Sequence, residues 1–105
     1  MPVYVSFLKV TPDGNKDVRQ SRERFEQGRK NVEQYGGKIL SAHYIVSRGE
    51  YLITTEFPDE EARVKSMITT LQRGTVSYEV YKAIPVDQFF ALIEEPTGTA
   101  SPKSR

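Results

Sequence analysis

The chain has 105 residues, of which 37% are hydrophobic and 28% charged, and a formal net charge of +1. That is enough sequence for one domain with a modest core. The charge is too balanced for a protein built around phosphate backbones, and the lack of cysteine excludes disulfides, thiolate metal sites and thiol nucleophiles.

Residues 3–10 alternate and are rich in β-branched and aromatic side chains, which predicts a strand. TPDGNKD breaks that pattern. From Asp17 or Ser21 to Tyr35, the residues Phe25, Gly28, Val32 and Tyr35 recur at three- and four-residue spacing, so a helix with one apolar face is expected, capped by Gly36-Gly37. Residues 38–47 and 50–57 read as two strands joined by a two-residue turn at Arg48-Gly49. Pro58-Asp59 opens a second helix with Glu60 and Glu61 in its first turn, where the helix dipole favours anions. Val64, Met67, Ile68 and Leu71 are its expected buried stripe, and Gly74 its end. TVSYEVYKAI is a fourth strand, and Pro85 starts a short third helix. The last stretch, PTGTASPKSR, is polar and reads as a flexible tail. No apolar run approaches the ~20 residues of a membrane span. MPVYVSFLKV is not a charged leader followed by a cleavage site, so a cytoplasmic protein is expected.

The order β-α-β-β-α-β, then a short helix, is that of an α+β, ferredoxin-like fold: a four-stranded antiparallel sheet with both main helices on one face. A two-residue turn pairs Tyr44 with Ile53, Ala42 with Thr55 and Leu40 with Phe57 on the helix-covered face. His43, Ser41, Leu52, Thr54, Glu50 and Glu56 then fall on the open face, a division that a one-residue slip would reverse. Val3, Val5 and Phe7 of the first strand are expected beneath the helices, with Tyr4, Ser6 and Leu8 outside. In the fourth strand Val76, Tyr78 and Val80 point inward, while Glu79, Tyr81 and Ala83 point outward.

RNA-recognition domains share this plan and stack bases on open-face aromatics of the first and third strands. Tyr4 suits that role. Glu50 and Leu52 do not, since a carboxylate repels phosphate and leucine is a poor platform for a base, so nucleic-acid binding is not expected. His43, the one histidine, cannot hold zinc without further ligands, and no metal site is expected. It would serve as an axial haem ligand or a general base only within a pocket. The candidate cleft is therefore Tyr4, His43, Leu52, Thr54, Glu56 and Tyr81 on the open face. Glu56 and Glu79 stand on strands separated by the first, too far apart for paired-carboxylate chemistry.

SRERFEQGRKNVEQYGGKI, then RGEYLITTEFPDEEA, then a last strand leading into AIPVDQFFALI resembles the GYD-domain family over residues 2–94. The family takes its name from a Gly-x-Tyr-Asp motif at the second hairpin. Gly49, Glu50 and Tyr51 match, while Leu52 stands at the aspartate position. The resemblance implies a single small ferredoxin-like domain over residues 1–95, related in architecture to the dimeric α/β-barrel proteins, with residues 96–105 as the tail. It implies a homodimer or higher oligomer and no established activity, and no cofactor is expected. Two functions follow as expectations. One is a domain that self-associates through its sheet and binds an unknown small molecule in the covered cleft. The other is a cofactor-free or haem-using oxygenase with His43, Tyr4 or Tyr81 in that cleft.

Overall fold

The computed structural model describes residues 1–12 and 18–94; the expected tail and the alternative helix start at Asp17 lie outside them. The elements run β1 (Val3–Val10), a 3-10 turn at Val18–Gln20, α1 (Ser21–Gln34), β2 (Lys38–Ile45), β3 (Glu50–Glu56), α2 (Glu60–Leu71), β4 (Val76–Ala83) and α3 (Val86–Ile93). The four strands form one antiparallel sheet in the order β2-β3-β1-β4. This is the ferredoxin-like α+β architecture that the order of elements predicts.

Local chemistry sets the ends of the helices. Gly36, at φ +82°, donates its N–H to Glu33 O, and Gly37 donates to Val32 O, the paired bonds that close a helix on a left-handed residue. At the start of α2, Asp59 accepts from the Ala62 N–H at 2.8 Å. Gly74, at φ +71°, follows the end of that helix.

The hairpin between β2 and β3 corrects the expected turn. The chain reverses over four residues, Val46–Gly49, rather than two, with the N–H groups of Arg48 and Gly49 both bonded to Ile45 O. Tyr44 therefore faces Tyr51, Ala42 faces Ile53 and His43 faces Leu52. The slip is two residues, an even number, so the side chains stay on their expected faces. A bulge between Ile39 and Ser41 then breaks the alternation. Ile39 turns toward the helices in place of Leu40, which is exposed.

The first strand reverses the expectation. Tyr4, Ser6 and Leu8 are buried beneath the helices, and Val3, Val5 and Phe7 occupy the open face. β1 lies between β3 and β4, so its facing follows from its register with both neighbours: Leu8 opposes Tyr51 and Tyr78, both inward residues. The Tyr4 hydroxyl is satisfied there, donating to Glu60 Oε1 at 2.6 Å.

α2 is also rotated from its expected stripe. Arg63, Ser66, Met67 and Thr70 look toward the sheet, while Ile68 and Leu71 are exposed. The cause is polar. Asn31 of α1, buried, donates through Nδ2 to Ser66 O at 2.8 Å and to Thr70 Oγ1 at 2.9 Å. This tie fixes which face of α2 turns inward, and the Tyr4–Glu60–Arg63 contacts hold its first turn. Between helices and sheet the layer is incompletely filled: a cavity of about 280 Å³ runs from Ile39 and Phe57 to Arg73 and Val76.

Candidate functional site

The strand registers turn the open face into a grid. One row across the sheet is Ile45, Glu50, Lys9 and Ser77. The next is His43, Leu52, Phe7 and Glu79, followed by Ser41, Thr54, Val5 and Tyr81, and then Lys38, Glu56, Val3 and Ala83. Its centre is apolar, with Leu52, Phe7 and Val5 adjoining, and its margin carries the carboxylates. α1 and α2 lie over the opposite face, and α3 packs broadly against neither.

Five of the six expected cleft residues share this surface: His43, Leu52, Thr54, Glu56 and Tyr81. Tyr4 does not. It is 2% exposed on the helix side, with its ring 6.3 Å from Phe57 and the Arg63 guanidinium 5.0 Å above it. Burial, then the neighbouring Glu60 carboxylate, pushes its phenol above the ordinary tyrosine range, so it stays a neutral donor. A cleft walled by Tyr4 and Tyr81 is therefore absent. The ring that meets Tyr81 is Phe7, edge-on at 6.4 Å.

Phe7 is the residue that sequence reasoning missed on this face. Arg48 reaches back from the turn to cover it, with its guanidinium carbon 5.0 Å from the ring centre. The same guanidinium stands 3.1 Å from Glu50 Oε1, close enough to pair as ions but at an angle that makes no hydrogen bond. The first-strand aromatic of the open face is thus already covered by a cation. His43 is exposed at the edge strand opposite Leu52, with Glu50 diagonal to it. Glu56 and Glu79 lie opposite different residues of β1, Val3 and Phe7, so they are not a catalytic pair. Among the described residues no three His, Asp or Glu side chains gather in a group able to hold a metal ion.

The hairpin residues divide by role. Gly49 takes φ +66° to finish the turn. Tyr51 goes inward, edge-on to Tyr44 at 5.2 Å. Glu50 and Leu52 go to the open face. The model of the GYD domain matches residues 4–93. The chain belongs to the GYD-domain family. In this GYD domain the glycine therefore shapes the reversal and the tyrosine anchors it under the helices. The family's acid position, here Leu52, is the one that looks out from the centre of the open face. A Thermus thermophilus protein named "Glutamine synthetase and cystathionine beta-lyase binding protein" is 21% identical over 95 residues, covering 90% of this GYD domain and 100% of the relative. No helix among the described residues is long and apolar enough to cross a membrane.

Proposed function

We propose that this GYD domain is a small binding protein that self-associates as a homodimer or higher oligomer through its open sheet face. The observation that carries the reading is the apolar centre of that face, where Leu52, Phe7 and Val5 adjoin with no helix over them. Monomers seldom leave such contiguous patches in water. Four strands about 4.8 Å apart and eight residues long at about 3.3 Å each give a face of roughly 500 Å². A stable interface takes about 800 Å² per partner. The neighbouring α3, whose Val86, Phe89, Phe90 and Ile93 are all exposed, supplies apolar surface to make up the difference.

Light scattering on the parent and on Leu52→Asp tests this. The expected result is an assembled parent and a monomeric variant, because a charge buried opposite its own copy lacks a partner. A parent that is monomeric at micromolar concentration refutes the reading, as does a variant whose assembly is unchanged.

The name of the Thermus relative favours a second, compatible use, the binding of metabolic enzymes. Co-elution with purified glutamine synthetase or cystathionine β-lyase of its own organism supports it. Separate elution of all three rejects it.

A further inference from the structure

The space between helices and sheet is unused by the open-face reading. At about 280 Å³ it is well above the space one water needs. A slender molecule of about ten non-hydrogen atoms is of that size. Its walls are mainly apolar, with Leu8, Phe25, Val32, Ile53 and Met67 prominent. Gly28 lies in the interior of α1 and lines the cavity, and a Cβ there would meet no atom within 4 Å. Neither a turn, nor a positive φ, nor a close approach accounts for a glycine at this point. The helix leaves open a place that most side chains would fill.

Among the described residues that line this space are three arginines, Arg24, Arg63 and Arg73, and no aspartate or glutamate. Arg63 is engaged by Glu60 at 2.7 Å in the first turn of α2. Ten residues on, about 15 Å along the helix direction, the Arg73 guanidinium makes among the described residues one long hydrogen bond, donating to Gln27 Oε1 at 3.5 Å. Tyr78 also lines the cavity, and burial pushes its phenol above the ordinary range, so it is a neutral hydroxyl donor beside Thr70 and Arg73. An apolar chamber with guanidinium and phenol donors at one end suits a carboxylate head on an apolar chain. An ammonium head would meet like charge there.

We propose that this cavity binds a medium-chain monocarboxylate, its chain in the apolar chamber along α1 and its head held by Arg73 and Tyr78. The probes are octanoate, octanol and octylamine, titrated calorimetrically into the full chain. Octanoate is expected to bind once per chain, octanol about tenfold more weakly for want of a charge-assisted hydrogen bond, and octylamine not at all. Arg73→Gln should weaken octanoate about tenfold and leave octanol unchanged, since only the charged head meets the guanidinium. Gly28→Leu should abolish binding of octanoate and octanol while raising the melting temperature, because its side chain fills the chamber. A merely structural glycine would not move affinity and stability in opposite directions. The proposal is overturned if octanoate does not saturate at millimolar concentration, or if octylamine binds as well. It is equally overturned if Gly28→Leu keeps its affinity or melts below the parent.

Discussion

Gly37→Ala is expected to destabilise this domain although Gly37 has no unusual φ, and the cost is legible atom by atom. A Cβ at Gly37 would stand 2.6 Å from both Cδ1 and Cε1 of Phe57 and 2.9 Å from Glu56 O. Carbon atoms pack at about 3.5–4.0 Å, so the intrusion is about 1 Å. Phe57 has little freedom to yield, being 3% exposed and set against the Tyr4 ring at 6.3 Å. Glu56 O is backbone at the end of β3. Overpacking of this kind costs about 1–3 kcal/mol, and the lower chain entropy of unfolded alanine returns roughly 0.4–1, leaving about 1–2 kcal/mol of net destabilisation. In a domain of about 100 residues that lowers the melting temperature by about 4–16 °C. Gly28→Ala is the control, the same chemical change in a helix interior with open space around it. It should stabilise by about 0.5–1 kcal/mol and raise the melting temperature by several degrees. Thermal melts by circular dichroism at one fixed protein concentration decide the matter. If Gly37→Ala melts at or above the parent, or both variants shift the same way, the packing described at the α1–β2 corner is wrong.

Gly49→Val should cost more than ~1 kcal/mol, because φ is +66° there and a β-branched residue at positive φ is strained even where space is open. An unchanged urea midpoint would remove the turn assignment. The Glu60 carboxyl is held below its ordinary value by hydrogen bonds, first from Arg63 and then from Tyr4. A depressed carboxyl contributes stability that is complete above the unfolded value and disappears as pH falls through the folded one. Between roughly pH 5 and pH 3, on either side of glutamate's ordinary value, Glu60→Gln should therefore flatten the loss of melting temperature seen in the parent. Parallel curves for the two proteins would show that the contact does not contribute.

The order of elements and the helix caps were legible because each depends on neighbours close in sequence. The facing of β3, and of β2 from Ser41 onward, survived a misjudged turn, since a slip of two residues preserves the alternation, while the bulge before Ser41 overturned it at Leu40. β1 was misread for a physical reason. Val3, Val5 and Phe7 make a more apolar set than Tyr4, Ser6 and Leu8, yet both faces of a central strand here are apolar, and hydropathy alone cannot rank them. What decided was pairing with strands about fifty and seventy residues away, together with the bond from Tyr4 to Glu60, none of which is local. Asn31 lies on the helix face of Gly28 and Tyr35, and nothing in its neighbours along the chain gives it a role. It is the tie that rotates α2, and only its partners Ser66 and Thr70 reveal that. The candidate site was half legible for the same cause: five of its residues came from strands whose facing was right, while Phe7 and Tyr4 exchanged places. The cavity announced itself only through Gly28, which reads as an ordinary member of an apolar stripe until the space beside it is seen.

The strand order β2-β3-β1-β4 also bears on how the chain acquires its shape during synthesis. β1 emerges first, but both of its neighbours come later: Val3 pairs with Glu56 on one side and with Ala83 on the other. At ~5–20 residues per second, the ribosome needs several seconds to deliver the whole of β4 after β1 has been made. Until then one edge of β1 has no mate, and before β3 emerges neither edge has. Such non-local pairing slows folding, because loop-closure entropy is spent before the contacts form. The interval matters most for VYVSFLKV, a β-prone segment that a second nascent chain can pair with edge to edge. The segment carries one charge, Lys9, near its end, and this is the residue that opposes such pairing while β4 is still being translated.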